Sequence, residues 1–242
     1  MFEKRPIIAL DLPNKEMVIR FIQKFDSRKK LFLKVGMELF YKTGPSIIDY
    51  LQNLGHDIFL DLKLHDIPNT VKKAINSLLS LNVAILDIHA TGGFAMMKEA
   101  KQIIQDNANA SNRPKLLAIT QLTSTSQNDV QTIQLIDKTL EESVLNYAIW
   151  AKKAGLDGVV CSAQEVKKIK QILGLDFLCL TPGIRPAGNK NDDQKRIMTP
   201  RQARQNGSDY IVIGRPITQS SDPEKKYLEI KHQWNLDGLN YE

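Results

Sequence analysis

Residues 57–70 read DIFLDLKLHDIPNT. The first eight form an apolar run of strand length, whose side chains alternate between two faces. Leu60, Leu62 and Leu64 share one face, suited to packing beneath helices. Phe59, Asp61 and Lys63 share the other. Directly afterwards, PNTVKKAINSLLSL (68–81) sets Val71, Ala74, Ile75, Leu78 and Leu79 on one helical face. A strand apolar on both sides, followed at once by an amphipathic helix, is one β/α unit of a parallel sheet. The charges at its end raise a question of function, because an unpaired inward charge is strongly unfavourable.

The same kind of strand recurs along the chain. PIIALDL (6–12), LFLKVGM (31–37), AILDIHAT (84–91), KLLAITQL (115–122), GLDGVVCS (155–162), DFLCLTPG (176–183) and SDYIVIGRP (208–216) are short and rich in Ile, Leu and Val. Helical patterns lie between them. LEESVLNYAIWAKKAG (140–155), for example, aligns Leu140, Val144, Tyr147, Ala151 and Ala154. EKKYLEIKHQW (224–234) reads as the last helix. Eight strands alternating with helices in 242 residues is the count of a (β/α)8 TIM barrel. No linker or shift in composition divides the chain, so one domain over 1–242 is expected. A doubly wound open sheet would carry G-x-G-x-x-G after its first strand, and none follows.

In a barrel, alternate strand residues face the interior. By that rule Ala9 and Asp11 point inward, as do Phe32, Lys34 and Gly36, and Asp87 and His89. The first four strands thus aim ionisable groups at the C-terminal mouth, where barrel enzymes carry their chemistry. Asp61 and Lys63 alone would also fit a structural ion pair at the rim. With Asp11 and Lys34 added, the alternating charges in one mouth exceed what packing needs. Asp66 has two readings: a member of the site, or a cap for the helix that begins at Pro68. His89 reads as hydrogen-bonding support and Asp87 as structural.

The second half carries a different signal. TPGIRPAGNKNDDQKR (181–196) leaves a strand as a long polar loop, and Gly214-Arg215 sits at the tip of the last strand. Loops after the seventh and eighth strands of a barrel often hold a phosphate through backbone N–H groups and one cation. Arginine suits that role, because its planar fork bonds two phosphate oxygens. A turn with a surface arginine is the alternative for Gly214-Arg215. Residues 187–195 read either as a lid or as a plain connection.

The net charge is +6. The lysines are scattered over the polar faces of the expected helices without interleaved aromatic residues, so nucleic acid is not the expected partner. A small anionic ligand makes equal use of the excess. No apolar run approaches the roughly 18 residues of a membrane span. The start, MFEKRPIIALDL, lacks a signal-peptide layout, and a cytoplasmic protein is expected. Cys161 and Cys179 lie in apolar runs, with no metal-type spacing, and read as buried free thiols.

DLKLHDIPNT (61–70), Lys34 in FLKVG, QLTS (121–124), TPGIRP (181–186), DDQKR (192–196) and VIGRPIT (212–218) together resemble orotidine 5'-phosphate decarboxylases of the bacterial type. The motifs span Asp11 to Thr218 in the family's order, with no departure at these positions. The resemblance implies loss of CO2 from orotidine 5'-phosphate to give uridine 5'-phosphate, the last step of de novo pyrimidine synthesis. It implies no metal, no organic cofactor, and a homodimer with sites at the interface. Lys34, Asp61, Lys63 and Asp66 would form the catalytic charged network, with Lys63 protonating C6. Asp66, Ile67 and Thr70 would reach the partner's site. Asp11 and Lys34 would bind the ribose, and Thr123 the pyrimidine. Arg185, Gln194, Gly214 and Arg215 would hold the phosphate. A sister group of metal-dependent sugar-phosphate enzymes shares the D-x-K-x-x-D core. It places an acid where this chain has Lys34, and an ammonium cannot ligate a cation.

Overall fold

A computed structural model describes residues 4–107, 112–186 and 196–235. Eight parallel strands close into a barrel in chain order. They are β1 (Ile7–Ala9), β2 (Phe32–Gly36), β3 (Asp57–Leu64), β4 (Ile85–His89), β5 (Lys115–Ile119), β6 (Gly158–Val160), β7 (Leu178–Thr181) and β8 (Tyr210–Ile213). β8 returns to pair with β1, through Ile7 with Val212 and Ile8 with Ile213. This is the (β/α)8 TIM barrel expected from the strand count.

The helices are α1 (Lys15–Ile22), α2 (Met37–Thr43), α3 (Ser46–Asn53), α4 (Pro68–Leu78), α5 (Gly93–Asn107), α6 (Leu140–Lys153), α7 (Val166–Leu173), α8 (Pro200–Gln205), α9 (Arg215–Thr218) and α10 (Pro223–Asn235). Local chemistry starts several of them. Asn14 accepts from the Met17 N–H at 2.9 Å and opens α1. Thr139 with Glu142, and Thr199 with Gln202, form reciprocal capping boxes for α6 and α8. No helix among the described residues is long and apolar enough to cross a membrane.

The strand alternation sorts the apolar side chains into two cores. Ile7, Ala9, Phe32, Phe59, Ile85, Leu117, Leu180 and Val212 fill the barrel interior. Leu33, Val35, Leu60, Leu62, Leu86 and Ile88 face outward and pack against the helices, with Val71 and Ile75 of α4. Each such burial stabilises by about 1.5–3 kcal/mol relative to exposure. The interior core plugs the barrel below its C-terminal end, and a cavity opens above it. Cys161 and Cys179 are buried and unbridged.

Candidate active site

A cavity of about 750 Å³ opens at the C-terminal mouth. All eight strands or their following loops contribute to its wall, including Asp11, Lys34, Asp61, Lys63, Asp87, Thr123, Arg185, Gly214 and Arg215. The inward half of each strand's alternation delivers these groups to one place.

β3 is the longest strand and ends irregularly. Its pairing with β4 shifts between Leu60 and Leu64. Lys63 takes a φ of 53°, a left-handed conformation that costs a non-glycine residue about 1–3 kcal/mol. The Lys63 N–H donates to Asp87 Oδ1 at 2.8 Å, so a side chain of β4 accepts where the ladder is interrupted.

Acids and ammonium groups alternate in one row across β1, β2 and β3. Lys34 Nζ lies 2.9 Å from Asp11 Oδ1 and 3.1 Å from Asp61 Oδ2. Lys63 Nζ donates to the other oxygen of Asp61. The centre of the row is dry: the side chains of Lys34 and Asp61 are 12% and 10% exposed. Its Asp11 end is open, at 63%. Gly36 leaves room for it, since a Cβ there would lie 3.1 Å from Lys34 Nζ.

Burial opposes charge on Lys34, but Asp61 and Asp11 outweigh it and raise its pKa above the ordinary lysine value. Burial likewise opposes ionisation of Asp61. The ammonium of Lys34 first, then the neighbouring Asp87 and Lys63, overcome it and lower the Asp61 pKa. Asp87 moves the other way. Burial and then the charge of Asp61 push its pKa well above the carboxylate range, against the pull of Lys63.

These directions fix a pH dependence of stability. The Asp61 pKa is lower in the folded than in the unfolded chain, so its contribution is complete above the ordinary aspartate range and disappears as pH falls through the folded value. Lys34 contributes below the ordinary lysine value and loses that contribution as pH rises through its folded pKa. The urea midpoint of the wild-type protein is therefore expected to fall as pH drops below about 4, and less steeply in Asp61→Asn. Equal acid slopes in the two proteins would refute the ion-paired state of Asp61.

The other expected site residues divide into three groups. Thr123 and Arg185 are buried in the cavity wall, and Gly214 and Arg215 follow β8 at its rim. Asp66, Ile67 and Thr70 are exposed and lie outside the cavity lining of their own chain. Gln194 and the whole segment 187–195 fall outside the described residues. Described residues on either side of it meet, through an Ile184–Met198 bridge and the Arg185 N–H donating to Met198 O at 2.9 Å.

The capping reading of Asp66 is corrected. Ile67 is the N-cap of α4 and offers no side-chain bond, while Asp66 Oδ1 accepts from the adjacent Ile67 N–H at 2.6 Å. Pro68 occupies the first turn, where its missing N–H is harmless. His89 is a supporting residue: its ring stacks on His65 at 5.5 Å and shares a hydrogen bond with Thr91.

Two residues carry more than their place in the sequence revealed. Asp87, read as structural, lies in the cavity wall and touches Lys63. Strand alternation already aimed it at the mouth, and that was its only signal. Arg196 pairs with Glu165 and donates to Leu122 O at 2.9 Å, tying the loops after β5 and β6 together. No periodicity marks such a contact.

Comparison with known proteins agrees with this geometry. The model of the Orotidine 5'-phosphate decarboxylase / HUMPS family matches residues 4–230. The orotidine 5'-phosphate decarboxylase of Streptococcus gordonii is 57% identical over 235 residues, covering 97% of this chain and 100% of the relative. That of Lactococcus lactis subsp. cremoris is 55% identical over 236 residues, with the same coverage. The crystal structure of orotidine 5'-phosphate decarboxylase from Lactobacillus acidophilus superposes with a TM-score of 0.85 at 44% identity, covering 96% of this chain and 100% of that one. In sequence over nearly its full length, and in the barrel that carries its charged row, the chain belongs to the Orotidine 5'-phosphate decarboxylase / HUMPS family.

Proposed function

We propose that this chain, folded as one barrel domain over 1–242 and working in the cytoplasm, decarboxylates orotidine 5'-phosphate to uridine 5'-phosphate without a metal or an organic cofactor. The observation that carries this is the row Asp11–Lys34–Asp61–Lys63 in the mouth of a family member's barrel.

The chemistry needs such a row. When the bond from C6 to the carboxylate breaks, CO2 leaves and the electron pair stays on C6, in the ring plane and without a conjugated sink. An ammonium held beside C6 stabilises that charge as it develops, an effect worth about 10²–10³ in rate for one preoriented donor. The proton then passes from Lys63 Nζ to C6, and the neutral amine recovers a proton from water. A positioned proton donor adds about 10²–10⁴. Asp61 holds the Lys63 ammonium in place, and Lys34 braces Asp61 from the other side. Because Lys34 occupies the place a metal-binding acid would need, the donor set repels a divalent ion.

The remaining residues bind and orient. Asp11 and Lys34 take the ribose hydroxyls, and Thr123 the pyrimidine. Arg185, Gln194, the Gly214 backbone and Arg215 take the phosphate, whose binding energy is spent on orienting the distant reacting bond. Two copies pair so that Asp66, Ile67 and Thr70 enter the partner's cavity. Their exposure in the single chain supports this, above all the 66% exposure of apolar Ile67.

The test follows the ultraviolet absorbance of orotidine 5'-phosphate with purified protein in a strong chelator. Steady conversion to uridine 5'-phosphate is expected. Conversion only after a divalent metal is added would replace this reading with the metal-dependent one. Nucleotide binding without conversion in either condition would make the chain a silent binder.

A further inference from the structure

We propose that Asp87 is a positioning residue for Lys63: a protonated carboxyl that accepts from the Lys63 backbone N–H with one oxygen and donates to Asp61 with the other. This deepens the decarboxylase reading and rests on it, because it concerns how the proton donor is aimed.

The geometry asks for such a group. Asp87 is 2% exposed and lies in the cavity wall beside Lys63 and Asp61. Oδ1 accepts from the Lys63 N–H at 2.8 Å. Among the described residues no donor reaches Oδ2, which is buried. The groups facing it from β3 are Asp61 and Lys63, and Lys63 Nζ is already bonded to Asp61. From β5 the partner in register is apolar Leu117. Along β4 itself, His89 is turned into its stack on His65. A second carboxylate anion here would face Asp61 in a dry wall, with one oxygen unsatisfied and with the pull of Lys63 outweighed by burial and by the Asp61 charge. A proton on Oδ2 removes the charge and turns the orphaned acceptor into a donor to Asp61. The elevated pKa of Asp87 and the depressed pKa of Asp61 accord with one proton held on Asp87.

The consequence is a closed triangle. Lys63 is tied to Asp61 through its ammonium and to Asp87 through its backbone, and Asp87 is tied to Asp61. The strained φ of 53° at Lys63 persists because the Asp87 carboxyl satisfies the displaced N–H. Without that clamp the backbone can relax, and the ammonium swings away from the reacting carbon.

Two variants of the full chain test this. Asp87→Asn keeps an acceptor and a donor in the same shape. Asp87→Leu keeps the bulk and loses both. Asp87→Leu is expected to lower kcat about 10²-fold, the scale of an ångström misplacement, with KM changed by less than about threefold. Asp87→Asn is expected to recover the rate to within about fivefold of wild type. Near-wild-type kcat in Asp87→Leu, or equal losses in both variants, would overturn the proposal. Infrared spectroscopy gives a readout that does not depend on the folding of Asp87→Leu. The wild type should show the C=O stretch of a protonated carboxyl at neutral pH, and Asp87→Asn should lack it. An identical spectrum in the two proteins overturns the protonated clamp. Absence of turnover in the wild type would instead defeat the decarboxylase reading, and the infrared band would then decide the clamp by itself.

Discussion

Lys63→Ala is expected to lower kcat by at least about 10⁴-fold, the product of a lost proton donor and a lost preoriented charge. The dissociation constant for uridine 5'-phosphate should change by less than about tenfold, since the ribose and phosphate contacts lie elsewhere. The variant should fold. Asp61 keeps its bond to Lys34 at 3.1 Å, and an alanine still presents the backbone N–H that Asp87 accepts. Steady-state assay beside calorimetric titration of the product separates the two effects. Lys63→Arg divides the loss further: a guanidinium keeps the positive charge but does not give up its proton. It should bind product and remain nearly inactive if proton delivery limits the rate, and regain part of the rate if charge alone matters. Turnover near wild type in Lys63→Ala would remove Lys63 from the reaction and leave the charged row as structure.

The placement of Lys63 in the barrel mouth is legible because a strand has a fixed period. Once DIFLDLKL was taken as buried, the inward placement of Phe59, Asp61 and Lys63 followed, and the structure has Phe59 in the inner core and Leu60 and Leu62 in the outer one. The same period places Asp11, Lys34 and Asp87 in the mouth, and all three line the cavity. What periodicity does not carry is pairing. The shift between β3 and β4, and with it the left-handed Lys63, depends on which β4 atoms meet the end of β3. Asp87 was therefore legible in direction but not in role. The distance of Asp66 from Pro68 fits a cap in the sequence, whereas the chain turns one residue later and Ile67 takes the N-cap. The motif order in 181–218 says nothing about the Arg196–Glu165 pair that ties the neighbouring loops.

A mixture of Lys63→Ala and Asp66→Ala proteins, each inactive alone, is expected to regain up to about a quarter of wild-type activity when combined in equal amounts. Asp66, Ile67 and Thr70 stand exposed on the loop after β3 and at the start of α4, outside the cavity lining of their own chain. In a dimer related by two-fold symmetry, each cavity would receive Lys63 from one copy and Asp66 from the other. A hybrid dimer then contains one cavity with both substitutions and one with neither. Random exchange makes half of the dimers hybrid, and half of their cavities intact, which sets the quarter. Labelling one protein with a fluorophore follows exchange independently of activity. Activity should rise with the same time course as exchange and stop when exchange is complete. Complete exchange with no recovery would return Asp66 to a role within its own chain. Recovery would establish that the acid at the end of this motif serves its partner's lysine, so that neither barrel is a complete catalyst without the other.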